Sequence, residues 1–159
     1  TVAEKSPVVA RNGLSINESE ALGKMVADAD FESGSQEKNQ AHRHAMCSPG
    51  VSGEECTARY RTYIERQINS GTPMGLARAI HAQQDFYASG HSLTPYDGLS
   101  GIGPGHILGD NMSGGFGQWR GIVDVTGNMI NQFVQKFPSA LFGHGTGVSG
   151  SWGGKSGGW

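Results

Sequence analysis

Apolar residues recur every three or four positions over most of this chain, and the breaks between these runs carry helix start and stop signals. Leu22, Met25, Val26 and Ala29 follow Asn17 and Glu20, whose three-residue separation predicts a capping box and a first helix. A second helix is predicted after Ser35, through "QEKNQAHRHAM", ending before Pro49 and Gly50. Ser52 and Glu55 form another capping pair and open a helix with Tyr60, Tyr63, Ile64 and Ile68 that stops near Gly71. Thr72-Pro73 puts a cap residue before a proline at the first helical position. The helix it starts carries Leu76, Ala77, Ile80, His81, Gln84 and Asp85 and ends before Gly90. A last amphipathic helix holds Ile122, Val125, Met129, Ile130, Phe133, Val134 and Phe137 and is stopped by Pro138. Residues 90–105 read as a loop, and "GHILGDNM" after it as one or two helical turns. No stretch alternates convincingly as a strand, and no repeat of helix-pair length is present. The predicted fold class is all-α, an irregular helical bundle.

Composition narrows this picture. The hydrophobic fraction is 36%, and many of the 26 glycines fall late in the chain. From Gly143 onward, "GHGTGVSGSWGGKSGGW" has too few apolar groups to offset the entropy of ordering it. The expected organisation is a linker from a larger protein over 1–16, a helical domain over 17–142 and a Gly-rich flexible tail over 143–159. No apolar run approaches the roughly 18 residues of a membrane span. A formal charge of −2 gives no general reason for tight nucleic-acid binding, although Arg59, Arg61, Arg66 and Arg78 fall in one region. Cys47 and Cys56 enclose a loop that a disulfide could close; two reduced thiols near helix ends fit the sequence as well. Two cysteines cannot build a thiolate zinc cage.

The chemistry concentrates in "IHAQQDFYASGH". His81 and Asp85 are four apart, so on a helix they share a face. By itself that pair reads equally as a hydrogen-bonded core element. His91 follows, and then "HILGD" repeats the spacing with His106 and Asp110. Imidazole and carboxylate ligands suit zinc, and five candidates exceed the three that one catalytic ion needs. Upstream, His42 and His44 are two apart, so at most one faces such a site. Asp28 and Asp30 enter as possible ligands by spacing alone. His144, in the tail, reads as exposed and uninvolved.

The order of HxxxD, a histidine six residues past the aspartate, and a second HxxxD resembles the zinc-dependent phospholipase C superfamily and related single-strand-specific zinc nucleases. A closer likeness, over roughly residues 39–112, is to C-terminal toxin domains of bacterial Rhs and related polymorphic toxins. It rests on "RHAMCSPGVS" (43–52) and "LARAIHAQQDFYASGH" (76–91). The resemblance implies an all-α phosphodiester hydrolase with one to three zinc ions, two being the expectation. It selects His44 over His42, makes His81 and Asp85 ligands of a buried metal pair, and makes His91, His106 and Asp110 ligands of a neighbouring zinc. Asp30, identified by spacing and not by the resemblance, would join the upstream ligands. Asp85 would bridge two metals or orient the nucleophile, Asp110 would do the latter from the outer site, and Tyr87 and Tyr96 would contact substrate. Phospholipase C uses its own N-terminal tryptophan as a metal ligand, which Thr1 cannot replace.

Phospholipid stands slightly ahead of nucleic acid as the expected substrate, because there is no dense basic groove and Trp152 and Trp159 could make transient membrane contact. The toxin likeness further implies secretion or delivery from one bacterial cell into another, and a cognate immunity protein in the producer. A non-catalytic module stapled by structural zinc is the rival reading.

Overall fold

A computed structural model describes residues 14–88, 91–96 and 115–141. They form four α-helices: α1 (Ile16–Asp28), α2 (Gly53–Asn69), α3 (Pro73–Tyr87) and α4 (Gly115–Lys136). Two 3-10 segments, Ala29–Phe31 and Lys38–His44, lie between α1 and α2. The one extended pairing among the described residues is an isolated parallel bridge between Cys47 and Pro95. The fold is all-α.

Each helix starts where its cap can reach an orphan amide. Thr72 Oγ1 accepts from Gly75 N–H with Pro73 at the first helical position, and Ser52 Oγ accepts from Glu55 N–H. The first helix begins earlier than the Asn17–Glu20 spacing predicts. Ser15 Oγ accepts from Glu18 N–H while the Glu18 carboxylate accepts from Ser15 N–H, so the reciprocal pair lies one step upstream. Leu14 is also buried in the core, so the folded unit extends into the predicted linker.

α3 is the central element and packs against α1, α2 and α4. Leu76, Ala77, Ala79 and Ile80 are completely buried, and they meet Leu22 and Val26 of α1 and Ile130 and Phe133 of α4. The alanines let neighbouring helices approach closely, and Leu141 closes the same cluster beyond Pro138. Burying a side chain such as Phe133 contributes about 2–3 kcal/mol. A smaller cluster of Ala45, Tyr60, Tyr63 and Ala82 joins α2 to α3.

The stretch predicted as a second α-helix is instead a turn followed by the Lys38–His44 3-10 segment, ended by Ala45 at φ 50°. It lies against α2 and α3, so tertiary packing sets its conformation. Cys47 and Cys56 form a disulfide, which resolves the two options left by their spacing. Closing a loop of this length stabilises the fold by roughly 2–3 kcal/mol.

At the α2–α3 corner, a Cβ on Gly75 would collide with the Gln67 carbonyl oxygen and the Ser70 hydroxyl. Gly71 turns the chain there at φ 66°. Gly75→Ala is therefore expected to destabilise the protein by about 1–3 kcal/mol, since the backbone oxygen cannot swing aside. A thermal melt of the variant with an unchanged midpoint would contradict that packing.

Candidate metal centre

The buried sides of α3 leave one face carrying His81 and Asp85, and it is turned toward the two 3-10 segments. Asp30 comes from the first segment, immediately after α1. Its neighbour Asp28 turns outward to Lys24, at 2.7 Å. His44 comes from the end of the second segment and is buried. His42 points elsewhere and packs edge-on against Tyr63, because residues two apart on a 3-10 helix cannot share a face. Its imidazole is held below its ordinary pKa by burial and by the charges of Arg43, Arg66 and Arg59.

Three ligand atoms converge. His44 Nδ1 lies 3.1 Å from His81 Nε2 and 3.7 Å from Asp30 Oδ1, and His81 Nε2 lies 3.8 Å from that oxygen. A triangle of those sides has its centre about 2.1 Å from every corner, which is the length of zinc–imidazole and zinc–carboxylate bonds. Asp30, His44 and His81 thus form a cluster that could hold a metal ion. The donor set itself favours a cation. His44 Nδ1 can carry only one proton, yet it faces two carboxylates and a second imidazole.

Asp85 lies against the same two nitrogens, its Oδ2 at 3.1 Å from His44 Nδ1 and 3.3 Å from His81 Nε2. Burial would raise the Asp85 carboxyl pKa, but the His44 hydrogen bond and the charges of His81, His91 and His44 outweigh it and bring the pKa below the usual value. For His44, burial alone would lower the imidazole. The Asp85 hydrogen bond and the charges of Asp85 and Asp30 reverse that and raise it. The side chains of His44, His81 and Asp85 are 9, 14 and 19% exposed, whereas that of Asp30 is 43% exposed. The cluster is walled by protein and opens to solvent beside Asp30.

His91 is buried, and its Nδ1 donates to the His44 carbonyl at 2.7 Å. That bond supports the backbone of a cluster residue. His106 and Asp110, expected beside it, lie outside the described residues, as do His144, Trp152 and Trp159. Tyr87 is half-buried, with its ring close to Gly121 of α4. Tyr96 is buried with Ala41 and Met46, and its hydroxyl donates to the Gln36 carbonyl at 3.2 Å. That replaces the expected substrate contact with a structural one, because the ring is already packed and the hydroxyl already committed.

Two contributors were not legible as site residues. Gln36 Nε2 donates to Asp30 Oδ1 at 3.1 Å and reaches His44 Nε2 at 3.4 Å, and the buried Ser35 hydroxyl donates to the Asp30 carbonyl at 2.7 Å. Both lie in an irregular turn that follows Glu32, whose two carboxylate oxygens accept from Arg78 Nε. No spacing rule marks them. No protein family, curated protein or solved structure matches the chain.

The coupled pair fixes a pH signature for metal-free protein. The raised His44 pKa contributes stability that is present below about pH 6.5 and is lost as pH rises through the folded-state value. The depressed Asp85 pKa contributes stability present above about pH 4 and lost as pH falls through its folded-state value. In EDTA, the melting-temperature gap between wild type and Asp85→Asn is expected to be widest between those limits and to narrow on both sides. A gap independent of pH would show that the two groups are not coupled.

Proposed function

We propose that this domain is a metal-dependent phosphodiester hydrolase, phospholipase C-like, acting as an antibacterial toxin. The observation that carries this reading is the closure of Asp30, His44 and His81 around one point at metal-bond distance, with solvent access on the Asp30 side. Two imidazoles and a carboxylate suit zinc, and a zinc ion there would supply Lewis acidity and a water acidified to a pKa near 7. Asp85, whose Oδ2 lies within 3.3 Å of both imidazole nitrogens, would bridge two metals or orient that water. His91, whose Nδ1 donates to the His44 carbonyl, would belong to a second ion's ligands only as the resemblance implies. His106 and Asp110 would complete that second site, as the resemblance implies. The toxin setting, with delivery into a target cell and a cognate immunity protein, rests on the likeness of residues 43–52 and 76–91.

One observation favours a nuclease instead. Arg59, Thr62 and Arg66 of α2, with His42 and Tyr63, line an open recess of about 280 Å³. Guanidinium groups beside an aromatic ring can hold a nucleic-acid backbone and a base. Glu55, which pairs with Arg59, lines the same recess and offsets part of that charge.

Purified protein is expected to carry zinc and to hydrolyse phosphatidylcholine vesicles in preference to single-stranded oligonucleotides. His81→Ala should retain helical circular dichroism but lose the metal and at least about 100-fold in activity, since even partners of metal ligands are worth 10–100-fold. It should also abolish growth inhibition on expression in bacteria. The same activity or toxicity in the variant would remove the hydrolase reading, and cleavage of oligonucleotides alone would move it to the nuclease.

A further inference from the structure

His44 ends its 3-10 segment, and the turn after it is held from two sides. Ala45 has φ 50° and is completely buried. A non-glycine residue keeps that conformation only where its surroundings impose it. On one side, Leu93 N–H donates to the Ala45 carbonyl, Cys47 N–H donates to Thr94, Tyr96 N–H donates to Cys47, and His91 donates to the His44 carbonyl. On the other side, the Cys47–Cys56 disulfide ties the turn to the start of α2. α2 is in turn fixed on α3, where the Tyr60 hydroxyl donates to Gln83 Oε1 at 3.0 Å. The covalent tie therefore connects the segment presenting His44 to α2, and α2 is packed on the helix presenting His81.

We propose that the Cys47–Cys56 disulfide is a redox latch on the metal centre: when oxidised it fixes His44 in ligand position, and when reduced it releases the turn and weakens metal binding. This rests on the metal-centre reading above. It places assembly of a loaded centre in an oxidising compartment and its loosening in a reducing one. With a water-soluble phosphine as reductant, phosphorus attacks one sulfur and the S–S bond breaks. Water then displaces that sulfur from phosphorus, giving phosphine oxide and leaving Cys47 and Cys56 as thiols. Both cysteines are buried, at 7 and 2% exposure, so attack follows a local opening of the turn. Linkage makes the effect reciprocal, so that a bound ion protects the disulfide by the factor by which the disulfide tightens the ion.

The test measures zinc affinity, by competition with a chromophoric chelator, for three forms. These are the oxidised protein, the phosphine-reduced protein and the Cys47→Ala/Cys56→Ala double variant, which offers no new thiol ligands. Amide hydrogen exchange is followed on the same three forms without metal. Zinc binding is expected to be at least tenfold weaker in the reduced form and in the variant. That factor corresponds to a disulfide potential about 30 mV lower when zinc is bound. The Met46 amide, which donates to the Ala41 carbonyl, should exchange faster in both, while the amides of Ile80 and Phe133 stay protected. Equal affinity in all three forms would overturn the latch. So would tighter binding by the reduced form, or lost protection at Ile80 and Phe133, which would make the disulfide a general staple. Absence of zinc binding by the oxidised protein would instead refute the metal centre, and unchanged exchange at Met46 would separately refute the release of the turn.

Discussion

The contact of His44 with Asp85 and His81 joins parts of the chain some forty residues apart, and the arrangement of the described residues serves it. α3 can offer a polar pair on one face only because its other faces are filled by Leu76, Ala77, Ala79 and Ile80. A buried carboxylate and imidazole must satisfy each other, or they cost several kcal/mol. Here the shared proton, the neighbouring charges and the Asp30 carboxylate meet that requirement, so an irregular segment can be held against a helix without an extensive apolar contact of its own.

Around that contact the structure divides its labour. One end of the bundle is conventional, with Phe133, Ile130, Leu22 and Leu141 excluding water. The other end is dense in ties: the Ala45 turn, the disulfide, the backbone bonds to residues 93–96, and the Arg78–Glu32 pair. A chain with only 36% hydrophobic residues has little apolar surface to spare for ordering such loops, and directional and covalent ties take its place.

The legible parts of the fold were those governed by local rules. Caps at Ser52 and Thr72 depend on a hydroxyl and an amide three residues apart, and the apolar face of α4 depends on its period. The first cap misled because Ser15–Glu18 and Asn17–Glu20 satisfy the same spacing, and only geometry chooses between them. The stretch from Gln36 to Met46 reads locally as one α-helix because its long-range partners, Asp85 and Tyr96, are invisible to local pattern. The same reason hid Gln36 and Ser35, while spacing alone had raised Asp30. Tyr96 looked available because it sits in a polar loop, but that loop pairs with Cys47 and the ring is buried with Ala41 and Met46.

The uneven exposure of the three corner groups has a dynamic consequence. Two imidazoles are held deep in the protein, while the Asp30 carboxylate stands at the mouth, steadied chiefly by an exposed amide, Gln36. An ion seated there can exchange with solvent by swinging one oxygen aside, leaving the bundle intact. Its residence time would then be governed by a single side-chain rotation, and so would the ease with which a competing ion could take its place.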